Sequence, residues 1–106
     1  MMTKYGIEID NQAIAANLKR LTNQVYKLLP SREEGSDWEK PLFTVIEELI
    51  GMNRVLFGQH EILFPLLCKL EGLFILTQPD DFFTFRRTIF ECLSLINELS
   101  EKCQTH

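Results

Sequence analysis

The chain has few of the residues on which catalytic and metal sites depend. It contains three cysteines and two histidines in 106 residues. Cys68, Cys92 and Cys103 form neither a CxxC pair nor a zinc-binding spacing. Glycine is also scarce, and no glycine-rich phosphate loop occurs. These absences predict a protein with no metal, no cofactor and no catalytic residues.

Positive charge and long apolar runs are lacking as well. Lysine and arginine number 11 against 15 aspartates and glutamates, which gives a net charge of −4. Because nucleic-acid binding draws its affinity from neutralising phosphates, this balance argues against nucleic-acid partners. No uncharged apolar run reaches the roughly 18 residues of a membrane span, and residues 1–10 lack the apolar stretch of a signal peptide. The sequence therefore predicts a cytoplasmic protein with no membrane span.

What the sequence does contain is helical periodicity. Ile14, Leu18, Leu21, Val25 and Leu28 recur at spacings of four and three, which places them on one face of a helix. A proline at position 30 should end this helix, because the residue before a proline avoids the α conformation. Similar stripes predict three more helices. The four predicted spans are about 11–29, 37–57, 59–76 and 80–103.

Short links between long helices favour antiparallel neighbours in a bundle. The predicted fold is therefore a single all-α domain over residues 1–106, a compact and mostly antiparallel four-helix bundle. The third helix is apolar almost all round, and a helix of that kind is usually buried on most sides. We accordingly expect the third helix to be central.

The second and fourth helices carry more apolar residues than one core requires. A bundle helix needs about three apolar positions in seven, and both helices have a further stripe. Gly51 lies within the second helix, where glycine costs about 1 kcal/mol relative to alanine, so close approach of another helix is a reason for its presence. These features predict an interaction protein that forms a homodimer or docks a helical partner. The candidate contact residues are Phe43, Ile50, Gly51, Phe57, Phe83 and Phe90.

Arg54 precedes His60 by six residues. This pattern resembles the R-x(4–6)-H signature of HEPN ribonucleases, a family of small, dimeric, all-helical enzymes that cut RNA without metal. The resemblance covers seven residues, and Val55 stands where that family usually has a polar residue. It implies that Arg54 would stabilise phosphate charge and that His60 would act as acid and base.

Two weaker patterns leave further alternatives open. The chain is similar in length and helical class, though not in motif, to bacteriocin-immunity proteins, which are cytosolic. The basic pairs Lys19-Arg20 and Arg86-Arg87 would form a phosphate-binding patch if their helices were neighbours. The ordinary interpretation of each pair is the solvated side of an amphipathic helix.

Overall fold

The computed structural model describes residues 11–52 and 60–104, without the side chains at positions 11, 60, 103 and 104. This part of the chain is helical throughout, apart from short links, and has no strand. The predicted all-α four-helix bundle is confirmed, with its first helix broken in two. The helices are α1 (Asn11–Tyr26), α2 (Leu28–Glu33), α3 (Glu39–Met52), α4 (His60–Gly72) and α5 (Phe82–Gln104), and the 3₁₀ turns Leu73–Ile75 and Pro79–Asp81 join the last two.

The four long helices form a ring. α1 packs on α3 and α5, and α4 packs on the same two helices, so α3 and α5 occupy opposite corners of the bundle. The third predicted helix, α4, therefore lies between two neighbours and is not surrounded by three. Phe64 marks its outer side, where 69% of the side chain is exposed.

The core is formed by the main apolar stripe of each helix. Hydrophobic burial is the dominant stabilising term in such a fold, at roughly 25 cal/mol per Å² of apolar surface. Among the described residues no polar or charged side chain is fully buried, so the core is entirely apolar. Its fully enclosed larger members are Phe85, Leu18, Leu21, Leu28, Leu42, Leu49, Leu66, Leu70, Leu73, Ile89 and Ile96.

The prediction that Pro30 ends the first helix is wrong. The helix breaks earlier, at Lys27, and a new helical segment then carries Pro30 in its first turn. First-turn residues have no intrahelical partner for their N–H groups, so the missing donor costs nothing there. A continuous helix would set the proline ring against the carbonyl of Tyr26, which explains the position of the break.

The helix α2 ends in a Schellman motif. Gly35 donates its N–H to the Arg32 carbonyl at 3.2 Å, and Ser36 donates to the Ser31 carbonyl at 2.9 Å. Gly35 has φ +76°, the left-handed conformation that this motif requires. The chain then turns into α3, whose first N–H groups, those of Glu39 and Lys40, are capped by Asp37 Oδ1 at 3.1 and 3.2 Å.

Two glycine substitutions should change stability in opposite directions. We expect Gly35→Ala to lower the free energy of unfolding by about 1 kcal/mol, because alanine is strained at positive φ. Gly51→Ala should raise it by about 0.5–1 kcal/mol, because Gly51 is helical and open space surrounds the position of an added Cβ. Urea titrations followed by circular dichroism would measure both changes. Equal effects of the two variants would contradict this account of Gly35.

Candidate functional site

Several large apolar side chains of α3 and α4 are exposed to solvent. Phe43 and Ile50 of α3 are 56% and 53% exposed, although their helix also supplies buried residues to the core. Phe64 of α4 is more exposed still, and Leu67 next to it on the helix is partly buried. Two neighbouring helices of the bundle thus both present apolar side chains to solvent.

The ion pairs of the bundle show which way these side chains face. Glu48 of α3 accepts hydrogen bonds from Arg20 of α1, with a shortest distance of 2.6 Å. Phe43 and Ile50 lie about 140–160° around the helix from Glu48, at 100° per residue. Among the described helices, α3 packs extensively only on α1 and α4, so both side chains lie on the side of α3 that faces away from α1.

The same reasoning applies to α4. Its Lys69 pairs with Glu91 of α5 at 3.4 Å. Phe64 and Leu67 lie about 140–160° around α4 from Lys69, and therefore on the side of α4 that faces away from α5. Phe43, Ile50, Phe64 and Leu67 consequently share one surface, which we name the α3–α4 face.

The predicted contact residues of the last helix lie elsewhere. Phe83 and Phe90 are 81% and 43% exposed, on the outer side of α5, and the Arg86 guanidinium lies 5.6 Å from the centre of the Phe90 ring. Because α5 and α3 occupy opposite corners, the two predicted stripes do not form a single surface. The sequence showed two surplus stripes but not their relative placement.

The remaining predicted residues are Gly51, Phe57, Arg54 and His60. Gly51 is exposed, and open space surrounds the position of an added Cβ, so none of the described helices approaches it closely. Phe57 lies outside the described residues. So does Arg54, and the same holds for the side chain of His60, so the ribonuclease-like pair stays a prediction.

The contacts of Arg32, which join α2 to the link between α4 and α5, were not indicated by the sequence. Arg32 of α2 donates from Nη2 to the Leu76 carbonyl at 2.9 Å and to the Gln78 carbonyl at 2.7 Å. Its Cζ also lies 5.4 and 4.9 Å from the ring centres of Phe82 and Phe85, which are cation–π distances. No periodicity could reveal this residue, because its hydrogen-bond partners are backbone groups more than forty positions away.

Trp38 completes this cluster at the start of α3. Its ring contacts Phe85 edge to face at a centroid distance of 5.1 Å and stacks with Phe74 at 6.4 Å. Aromatic pairs in these geometries add about 0.5–1.5 kcal/mol beyond the burial of their area. Arginine and tryptophan together tie α2 and α3 to the link between α4 and α5.

An open groove of about 840 Å³ lies beside Arg32. Its lining includes the carboxylate residues Glu33, Asp37 and Glu39 as well as the Trp38 ring. The arginine donors in this groove already bind backbone carbonyls, and the carboxylates repel anions. The groove is therefore unsuited to phosphate or other anionic ligands.

The described residues offer no constellation for metal chemistry and no helix able to cross a bilayer. Histidine, cysteine, aspartate and glutamate nowhere cluster in threes among them. None of the helices over residues 11–52 and 60–104 combines the length and apolarity of a membrane span.

The helices that carry the two basic pairs are neighbours, yet the pairs do not converge. Arg20 turns toward α3, where Glu48 holds it, and Arg86 lies against Phe90. Lys19 shares a groove with Asn97 of α5, and eleven residues of that helix, roughly 16 Å, separate Asn97 from Arg86. The structure therefore does not assemble a basic cluster from these residues.

Removing the guanidinium of Arg32 should destabilise the bundle. We expect Arg32→Met to lower the free energy of unfolding by about 2 kcal/mol, because two carbonyls lose a charged donor while the apolar stem is kept. Arg32→Lys should recover little of this stability, since one ammonium cannot reproduce the planar array of N–H donors of a guanidinium. Urea unfolding followed by the fluorescence of Trp38, the single tryptophan, measures the change. Arg87→Met on the exposed side of α5 is the control, and an equal loss there would contradict the role given to Arg32.

The buried thiol of Cys92 should be unreactive in the folded protein. Burial raises the pKa of Cys92 from 9.0 to about 12. This thiol therefore stays neutral at pH 8, and in a Cys103→Ser background only the exposed Cys68 should react quickly with a disulfide reagent.

The same buried thiol should make stability depend on pH. Between pH 8 and pH 10 only the unfolded chain ionises Cys92, so the free energy of unfolding should fall by about 1 kcal/mol. Urea titrations of Cys92→Ala, which lacks the thiol, should not show this part of the fall.

Comparison with known proteins supplies no role for these surfaces. No family model matches the chain, and neither a curated protein nor a solved structure matches it. The function must therefore follow from the chemistry of the exposed side chains.

Proposed function

We propose that this chain is a non-catalytic protein-interaction module that docks a partner through the α3–α4 face. The observation that carries the proposal is the exposure of Phe43, Ile50 and Phe64 on two adjacent helices of the bundle. Fully burying one such side chain contributes about 1.5–3 kcal/mol. Contiguous apolar surface of this kind is typical of interaction sites.

The shape of the face favours a helical ligand. Phe43 and Ile50 are seven residues apart on α3, a distance of roughly 10 Å along the helix axis. Phe64 and Leu67 of the adjacent helix supply the other wall. Two antiparallel helices with apolar side chains along their seam form the type of groove into which an amphipathic helix packs its apolar stripe.

The cysteines indicate the compartment in which the protein acts. Cys68 is a free, exposed thiol, and Cys92 is free as well. Free thiols persist in a reducing compartment, so we place the module in the cytoplasm. The partner on the α3–α4 face is either a second copy of the chain or another protein with a helix.

Site-specific photo-cross-linking tests the proposal. A benzophenone amino acid replaces Phe43 in one variant and Phe83 in a matched variant, and both are irradiated in the cells that naturally make the protein. We expect one discrete adduct from position 43 and little from position 83, because only the first lies on the α3–α4 face. Adding Phe64→Ser to the first variant should remove the adduct. Equal yields from positions 43 and 83 would refute the proposal.

A further inference from the structure

The α3–α4 face is bordered by carboxylates. Glu47 lies between Phe43 and Ile50 on the helix, four residues after the first and three before the second. On α4, Glu61 precedes Phe64 by three residues and Glu71 follows Leu67 by four. Residues three or four apart are neighbours on a helix surface, so these exposed glutamates flank the apolar side chains at both ends of α4 and along α3.

Little positive charge balances this border. The exposed Lys40 lies three residues before Phe43, and Lys27 lines a pocket with Pro41 and Thr44 of α3. Arg20 and Lys69 are paired with Glu48 and Glu91. Among the described residues, Glu47, Glu61 and Glu71 form no ion pair with a lysine or arginine. Among the described residues, carboxylates therefore outnumber bases around the apolar strip.

This charge distinguishes between the two kinds of partner. A two-fold homodimer through the face would bring the same carboxylates of both copies together, and like charges in an interface are unfavourable. A helix with lysine or arginine beside its apolar stripe would instead meet complementary charge. Resting on the proposed function, we infer that the α3–α4 face binds a basic amphipathic helix of another protein.

The required ligand follows from the dimensions of the face. Its apolar residues should repeat at i, i+3 or i+4, and i+7, so that about two turns cover the distance from Phe43 to Ile50. Basic residues should stand on both sides of that stripe to reach Glu47 on one helix and Glu61 and Glu71 on the other. The carboxylates then give orientation and association rate, while the apolar contacts give most of the affinity.

A pair of synthetic helices tests this inference on the full-length chain. The probe is an 18-residue amphipathic peptide of leucine and lysine, and its matched control has glutamate at every lysine position. Titrations of the ¹⁵N-labelled protein should shift the amide resonances of α3 and α4 with the first peptide and leave them unmoved with the second. Affinity should fall about tenfold between 50 and 500 mM NaCl, because charged groups at the border are screened.

Matched double variants locate the binding. Phe43→Ser with Phe64→Ser should weaken binding at least tenfold, and Phe83→Ser with Phe90→Ser, an equal loss of exposed aromatic area on α5, should leave it unchanged. Glu47→Gln with Glu71→Gln should weaken binding and reduce its salt dependence. All these side chains are exposed, and Trp38 fluorescence with circular dichroism verifies that each variant is folded.

The outcomes separate the inference from the proposed function. Equal binding of both peptides at α3 and α4 would overturn the requirement for a basic partner and leave the docking face standing. A dimer in light scattering, together with a cross-link from position 43 to a second copy of the chain, would also overturn the basic partner and leave the docking face standing. Lysine-peptide shifts on α5, or shifts unaffected by Phe43→Ser with Phe64→Ser, would overturn both.

Discussion

The architecture depends on one guanidinium that joins distant parts of the chain. Arg32 binds the carbonyls of Leu76 and Gln78 and lies against the rings of Phe82 and Phe85. These contacts connect α2 to the link between α4 and α5. Such a turn leaves helix-terminal carbonyls without intrahelical donors, and a fixed arginine satisfies them without adding a buried charge that lacks partners.

Much of the fold could be predicted from the sequence because the core stripes follow simple helical spacing. Ile14, Leu18 and Leu21 are buried as their pattern indicates. The prediction failed at a residue that is compatible with two different positions in a helix. Pro30 could end a helix or begin one, and only the break at Lys27 shows which effect prevails. The role of Arg32 was beyond sequence reasoning, because backbone carbonyls leave no trace in residue identity.

The sequence predicted which side chains of the interaction surface are exposed but not how they are placed relative to one another. Helical spacing marked Phe43, Ile50, Phe83 and Phe90 as surplus to one core, and all four are exposed. Whether two stripes meet depends on the order of helices around the bundle, which is a tertiary property. Phe64 was part of a helix that seemed apolar on every side, so its position on the outer surface of α4 could be recognised only once α4 was seen to contact two neighbours.

The placement of α3 and α5 at opposite corners also keeps their exposed surfaces apart. A helix bound against Phe43 and Phe64 would not cover the aromatic side chains of α5, and a ligand on α5 would not reach the groove. Because the two surfaces share no contact residues, occupation of the α3–α4 face should leave the exposed aromatic side chains of α5 as they are in the free protein.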